Sequence, residues 1–457
     1  MVKKKSNIKK PVKSAAKKKA AKPRVKSPKV ETMVSKAKVT GSAKQSVKPG
    51  KRNLDLTAAK AGKQAEFYTQ WVDIEKEMNA YLEYDPNVFR DKIVLLPCDD
   101  PEWSNFAKFF ALHFMDYGIK KLISTSYAPN SKPSEVPYQL TLFEKEAPQY
   151  DTSKTRTNGK KFVLEEKDMN DDGVVNIEDL QWEYLNGDGD FRSDEVTTLK
   201  DEADIVMTNP PFFLFKPFLS WIVTSGKKCV ILGNVNAVTY KEIFPLVKAN
   251  QLWLGPSITS GDREFRVPDN YPLTAAGCRT DENGNKFIRV KGVRWFTSLD
   301  HGRRHEPLRL MTMADNIKYS KHKEVRDVGY QTYENYDALE VGFTDAIPSD
   351  YKGIMGVPIT FLDKYNPEQF EILGMCENED LYGLKTRVYN RDECKAAYWK
   401  KFGRKGSYDL NASGVIRVGG IQEKVYQRIL IRHKESSVTG AKRLLVPEAG
   451  SSASDTV

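Results

Sequence analysis

The sequence predicts an α/β fold: a doubly wound, mostly parallel sheet with helices on both faces, a loop-rich region after it, and disordered ends. Three observations predict this. Short apolar runs alternate with helix-length stretches between about residues 91 and 254, the pattern of strands joined by crossover helices. Those runs are nearly continuous in Val, Ile and Leu, as strands buried on both faces are. Residues 1–52 contain no Phe, Tyr, Trp or Leu, so that end cannot bury enough surface to fold alone.

Taken in order, residues 1–52 hold 19 Lys and Arg against one acid, Glu31. Of the chain's 72 basic and 61 acidic side chains, 53 and 60 remain for the rest, so a tail of +18 is joined to a body of −7. Such a tail either tethers the protein to nucleic acid through counterion release or is a solvated segment that aids solubility. The folded body starts near residue 53. Asp91-Lys-Ile-Val-Leu-Leu-Pro97 reads as the first strand, with an aromatic-rich helix over 103–117. Lys120-Lys-Leu-Ile-Ser-Thr-Ser126 reads as the second strand and Ala203-Asp-Ile-Val-Met-Thr208 as the third, with an apolar helix over 214–224. Lys228-Cys-Val-Ile-Leu-Gly233 is a fourth, followed by a helix over 240–250 and strand-like Gln251-Leu-Trp-Leu254. Residues 150–190 form an insertion within the 53–254 domain. Residues 255–350 are turn-rich and mixed in charge and read as loops and a smaller recognition region; 351–434 complete the folded body, and 435–457 form a second disordered end.

Composition excludes several classes. The five cysteines (Cys98, Cys229, Cys278, Cys376, Cys394) are scattered singly, against a disulfide framework or a Cys-rich zinc site and in keeping with a reducing compartment. No run approaches 18 apolar residues, and the basic N-terminus lacks the apolar stretch of a secretory signal. The expectation is a soluble cytoplasmic protein with no membrane partner.

The sharpest feature is Asp204-Ile-Val-Met-Thr-Asn-Pro-Pro-Phe212. Two prolines cannot continue a central strand, so the chain turns there and leaves Asn209 at the strand's C-terminal end. Ligands of such sheets sit at those ends. An aryl or amide nitrogen is a poor nucleophile because its lone pair is delocalised, and two acceptors on its hydrogens favour a more tetrahedral nitrogen. The Asn209 side-chain oxygen can be one acceptor and the Pro210 carbonyl the other, since proline keeps its C=O but has no N–H. Phe212 offers a face on which a base can stack, worth roughly 1–3 kcal/mol. The alternative, an Asn-Pro-Pro turn without chemistry, does not explain its place after an apolar strand.

Around this tetrapeptide the chain resembles the EcoRI-type adenine-specific DNA methyltransferase family. The likeness includes Glu66-Phe-Tyr-Thr-Gln70, Cys98-Asp-Asp-Pro101 with Ser104-Asn-Phe106, and Gly187-Asp-Gly-Asp-Phe-Arg-Ser193. It continues in Gly233-Asn-Val-Asn-Ala-Val-Thr-Tyr-Lys-Glu-Ile-Phe244, Gly353-Ile-Met-Gly-Val-Pro-Ile-Thr-Phe-Leu362 and Asn366-Pro-Glu-Gln-Phe370, covering roughly residues 66–373. The resemblance implies a class I S-adenosylmethionine-dependent methyltransferase fold, with 53–254 as the catalytic domain and 255–350 as the DNA-recognition region. It implies that Phe67, Tyr68 and Thr69 contact the methionine end of the cofactor, that Asp99 and Asp100 lie near its ammonium or ribose, and that Asp190 and Phe191 line the side of the cofactor adenine and target base. Two departures stand out. The glycine-rich loop common among such enzymes is replaced by Pro97-Cys-Asp-Asp-Pro101, and the second strand ends in Ser124-Thr-Ser-Tyr127 without the acid that usually binds the ribose.

Other constellations compete. Pro97-Cys98 resembles the Pro-Cys nucleophile of cytosine C5 methyltransferases, but it follows the first strand, where a small packed cysteine is the better account. Asp168-Met-Asn-Asp-Asp-Gly-Val-Val-Asn-Ile-Glu-Asp179 has calcium-loop spacing, with Asp168, Asn170, Asp172 and Asp179 as ligands and Asp in place of Glu at the twelfth position. It reads as a structural calcium staple or as a polar turn without metal. His301 and His305 have i, i+4 spacing but no third ligand for zinc; Arg303 and Arg304 between them are candidate phosphate or base contacts, against a solvated charged loop.

The resulting expectation is an S-adenosylmethionine-dependent enzyme that methylates the exocyclic N6 amine of an adenine flipped from double-stranded DNA within a specific sequence, with Asn209, Pro210 and Phe212 as its catalytic residues. The alternatives are adenine methylation in RNA, glutamine methylation in protein, or a catalytically silent basic-tailed DNA-binding protein. A monomer acting in a bacterial cell or a virus-infected host is expected, and no feature identifies a partner endonuclease.

Overall fold

A computed structural model describes residues 69–434, apart from 103, 132–144, 146, 167–174, 176, 268–272, 274–276 and the side chains of Ile177 and Phe212. The two tails expected at 1–52 and 435–457 lie outside the described residues.

The centre is an eight-stranded sheet built from β1 (Ile93–Leu96), β2 (Lys121–Ser126), β3 (Lys160–Glu165), β4 (Gln181–Tyr184), β5 (Ile205–Thr208), β6 (Lys228–Asn234), β7 (Trp253–Leu254) and a later strand, β11 (Val293–Thr297). Its order is β4-β3-β2-β1-β5-β6-β11-β7. Strands β2, β1, β5 and β6 are mutually parallel. The β3–β4 hairpin joins one edge antiparallel, and β11 pairs antiparallel with both β6 and β7 at the other. The fold is therefore mixed α/β with a parallel centre.

Alternation along the strands explains why both faces are covered. Val94 and Leu96 of β1, Leu122 of β2, Ile205 and Met207 of β5, and Val230 and Leu232 of β6 share one apolar core. Their neighbours Leu95, Ile123, Val206 and Ile231 belong to another on the opposite face. The first face carries α1 (Trp71–Tyr84) and α2 (Asn105–Leu112), through Ile74, Met78, Phe106 and Phe110. The second carries α3 (Asp194–Glu202), α4 (Phe215–Val223) and α5 (Phe244–Lys248), through Val196, Phe218 and Phe244. Caps set the helix starts: Ser104 accepts from the Phe106 and Ala107 N–H groups, and Ser193 from that of Val196.

Several elements differ from the sequence expectation. The helix expected over 103–117 ends at Leu112, and that over 240–250 shrinks to five residues beginning beside Pro245, whose fixed φ suits a first turn. The insertion at 150–190 contributes β3 and β4 to the central sheet. The loop-rich 255–350 region also contains regular structure. It holds a three-stranded sheet of β8 (Asp262–Val267), β9 (Arg279–Thr280) and β10 (Lys286–Lys291) in the order β8-β10-β9, then β11. All five residues of β11 are buried, so the central sheet closes only with a strand from beyond residue 254. Helices α6 (Met313–Tyr319) and α7 (Lys323–Val328) follow. A five-stranded sheet then forms from β12 (Gln331–Thr332), β13 (Leu339–Glu340), β14 (Met355–Pro358), β15 (Phe370–Met375) and β18 (Arg428–His433). Helix α8 (Arg391–Phe402) and the hairpin β16 (Val415–Val418) and β17 (Ile421–Lys424) lie between its last two strands in sequence. Among the described residues no helix is long and apolar enough to cross a membrane.

Candidate active site

The parallel strands β1, β2, β5 and β6 end along one edge, and β4, parallel to β2, releases the chain at the same edge. Thr208 pairs with Ile231 of β6, and Asn209 follows directly. Pro210 is buried and Asn209 half-buried. The Leu214 N–H donates to the Pro211 carbonyl at 2.8 Å, closing the turn Phe212–Leu214 that leads into α4. The prolines thus end the strand and the turn starts the helix, leaving Asn209 and the Pro210 carbonyl at the edge.

The loop after β1 is tied to this corner by hydroxyl groups. Asp99 is 8 % exposed. The Thr208 hydroxyl donates to its Oδ2 at 2.6 Å and lies 3.0 Å from the Pro97 carbonyl. The Ser104 hydroxyl donates to its Oδ1 at 2.6 Å, and the Ser124 hydroxyl to its backbone carbonyl. Burial pushes the Asp99 carboxyl up to about 7, against the lowering effect of those two side-chain donors. Cys98 adopts a left-handed backbone, φ 68°, unusual for a residue with a Cβ. Its N–H donates to Thr125 Oγ1 at 3.1 Å. A turn held by buried Ser124 and Thr125 thus follows β1. Asp100 shapes the same turn: its Oδ1 accepts from the Glu102 N–H at 2.9 Å and its carbonyl from the Ser104 N–H at 2.7 Å.

The structure brings a third group to the edge. Thr69 is 4 % exposed; its carbonyl accepts from Asn105 Nδ2 at 2.7 Å, and its buried Oγ1 has no hydrogen-bond partner among the described residues. Asp190 comes to the end of β2. The Ala128 N–H donates to the Asp188 carbonyl at 2.8 Å, and Gly189 (φ 85°) lies so close that a Cβ there would sit 2.3 Å from the Ser126 carbonyl. Tyr127 and Arg192 both hydrogen-bond Asp190; Arg192, the larger influence, holds its carboxyl below the usual range. A carboxylate from after β4 therefore stands beside a second strand that ends without one.

Other expected residues lie elsewhere. Phe67 and Tyr68 are outside the described residues, as are Asp168, Asn170 and Asp172 of the calcium-type loop. Asp179 is buried, and among the described residues no group of three His, Cys, Asp or Glu could hold a metal ion. Phe191 is packed in the core: 1 % exposed, its centroid is 4.9 Å from that of Phe218 and 5.5 Å from that of Trp221. The arginine pair also lies away from this edge. Because β11 runs antiparallel to β6, the chain leaves it at the edge opposite Asn209, where the Ser298 hydroxyl accepts from the Cys229 N–H at 3.0 Å. Arg304 follows there, 5 % exposed, its guanidinium 3.7 Å from the Trp253 ring centroid and bonded to Asp300 and Asn250. It is used up in packing. Arg303 is half-buried and donates to the Pro256 carbonyl at 2.8 Å. Conversely, sequence reasoning passed over Thr208, Ser124, Thr125 and Tyr127. Hydroxyls inside otherwise apolar runs were the available signal.

Comparison with known proteins places the chain in a family. Residues 55–434 match the family described as "Adenine-specific methyltransferase EcoRI". The chain is 42 % identical over 321 residues to the Type II methyltransferase M.EcoRI of Escherichia coli, covering 70 % of this chain and 89 % of that protein. It is 34 % identical over 337 residues to the Type II methyltransferase M.MpnI of Mycoplasma pneumoniae, covering 73 % and 90 %. For the Type II methyltransferase M.MgeORF184P of Mycoplasma genitalium the figures are 32 % over 335 residues, 72 % and 90 %. No solved structure matches the chain. With an intact Asn-Pro-Pro-Phe at a strand end and similarity across nearly all of the described body, the chain belongs to the EcoRI-type family of adenine-specific DNA methyltransferases.

Proposed function

We propose that this protein methylates the exocyclic N6 amine of an adenine flipped out of double-stranded DNA, using Asn209-Pro210-Pro211-Phe212 as its catalytic corner. The observation that carries the reading is the position of Asn209 immediately past β5, braced through Thr208 to the loop after β1. The Asn209 side-chain oxygen and the Pro210 carbonyl accept the two amine hydrogens, which localises the nitrogen lone pair and readies it as a nucleophile. Extruding the base costs a few kcal/mol. Phe212 is the residue proposed to offset that cost by stacking.

Methyltransferases of this family use S-adenosylmethionine, which when bound supplies a methyl group on a sulfonium centre. The residues at the edge fit such a cationic, ribose-bearing molecule. Thr69 Oγ1 is a buried hydroxyl without a partner among the described residues. Asp99 and Asp100 supply carboxylates at the end of β1, and Asp190 is proposed to receive the ribose hydroxyls at the end of β2, where the sequence has no acid. The order β2-β1-β5-β6 with antiparallel β11 between β6 and β7, and helices on both faces, supports a class I methyltransferase fold. Residues within 255–350 are proposed to recognise the DNA sequence.

The test is Asn209→Ala. A preorganised polar contact that acts on the reacting group contributes about 100-fold or more, so methyl transfer to unmethylated plasmid should fall by at least that factor in a tritiated-methyl assay, with cofactor binding kept. Retained transfer would remove the assignment. The same assay on RNA and on glutamine-containing peptides separates this reading from its chemical relatives, which need the same two acceptors.

A further inference from the structure

The three-stranded sheet β8-β10-β9 has two unlike faces. Register puts Phe265 opposite Ile288 and Val267 opposite Lys286 on one side. Phe265, Val267 and Ile288 join the core against α1 and α2, so this face is covered. The other face pairs Arg266 with Phe287, Glu264 with Arg289 and Asp262 with Lys291, and β9 adds Arg279 opposite Phe287. It therefore carries Arg266, Arg279, Arg289 and Lys291 against Asp262 and Glu264, an excess of two positive charges. Arg279 is already committed: it donates to Glu264 at 2.9 Å through Nε, and its guanidinium lies 4.3 Å from the Phe287 ring centroid. Arg266, Arg289 and Lys291 are exposed, and none forms an ion pair among the described residues.

This face starts at the catalytic edge. The Lys291 carbonyl accepts from Asn234 Nδ2 at 3.0 Å, and the Gly292 carbonyl from the Val235 N–H at 2.7 Å. Asn234 is the last residue of β6, the strand beside β5 and Asn209. Residues 53–457 carry a net −7, so a polyanion must approach the body where local charge is reversed. We propose that the outer face of β8-β10-β9 binds the phosphate backbone of substrate DNA, through Arg266, Arg289 and Lys291. The inference rests on the DNA methyltransferase reading and assigns that substrate a surface distinct from the arginine pair near residue 303.

The experiment compares the full chain with the triple variant Arg266→Gln, Arg289→Gln, Lys291→Gln in duplex binding across a salt series. Each neutralised phosphate contributes a slope of about 0.9 in log Kobs against log[salt]. The triple variant should have a slope shallower by about 2 to 3 and should weaken equally on duplexes with and without the target sequence. Arg266→Lys with Arg289→Lys should keep the slope, because a phosphate contact needs charge more than shape. Titration with S-adenosylmethionine should be unchanged in every variant. An unchanged slope in the triple variant, alongside a wild type that binds and methylates DNA, would overturn the proposal; so would a triple variant that loses cofactor binding. A wild type that neither binds nor methylates duplex DNA would instead remove the reading on which the proposal rests.

Discussion

At the scale of single residues, the corner depends on a buried carboxylate whose partners are hydroxyls rather than cations. Asp99 is held by Ser104 and Thr208 at 2.6 Å each, and Thr208 is the residue just before Asn209. Thr208→Val keeps shape but deletes the donor, leaving an oxygen of Asp99 under-satisfied. Losing a partner of a buried polar group costs about 1–3 kcal/mol, so the variant should unfold at lower urea concentration by that amount. It should also transfer methyl groups more slowly, with Thr208→Ser restoring both. Unchanged turnover in Thr208→Val would separate the Asp99 link from catalysis. Asn209 and Asp99 were legible because the sequence displays their chemistry at strand ends. Thr208 was not, because a threonine at a strand end is ordinary until a distant aspartate is folded against it. The surroundings of Arg304 were not legible for a related reason: nothing local announces that Trp253 and Asn250 will enclose a surface-type residue.

At the scale of elements, α1 is fastened by Glu77. It is fully buried, accepts from the Tyr81 hydroxyl at 2.6 Å and from the Ser257 N–H at 2.9 Å, and so ties the helix to the chain just past β7. Burial pushes its carboxyl from 4.5 to about 7. Between those values the folded protein holds a proton that the unfolded chain releases, so this group costs stability as pH rises through the window. Glu77→Gln keeps an acceptor for Ser257 and removes the titration. Its urea midpoint should therefore gain on the wild type steadily from pH 4.5 to 7, and parallel curves would contradict the assignment. Asp99 shifts in the same direction, so the variant should retain part of the slope. The strands β1, β2, β5 and β6 could be read from sequence because residues facing both sides are apolar. The β3–β4 hairpin could not: β3 alternates buried and partly buried residues and opens with two lysines, Lys160 and Lys161, at its first positions. Strand β11 was hidden by Arg294, a charge in a fully buried strand.

At the scale of the whole molecule, that same arginine links segments on either side of residues 254 and 350. Arg294 of β11 meets Asp363, in the turn after β14, at 2.7 Å, with both side chains 6 % exposed. It also donates to the Thr259 carbonyl at 2.7 Å. Around this contact one apolar core runs from Leu95, Val206 and Ile231 of the central sheet to Met355, Val357, Ile372 and Ile431 of the C-terminal sheet. The described residues, 69–434, accordingly fall in one compact unit. Burial nevertheless holds the Asp363 carboxyl above its ordinary range despite the arginine, so desolvation outweighs the attraction and the pair specifies docking more than it adds stability. Removing one partner is then far worse than removing both. Asp363→Ala, which strands a buried guanidinium, should cost about 3–5 kcal/mol, whereas Arg294→Met with Asp363→Leu should recover most of that loss. Because the core is continuous, denaturation of the wild type followed by tryptophan fluorescence and by circular dichroism should give coincident curves for 53–434, and Asp363→Ala should shift both together. Two separated transitions, with only the later-sequence part displaced by the substitution, would mean that the C-terminal sheet folds on its own and that the contact merely rests between two domains.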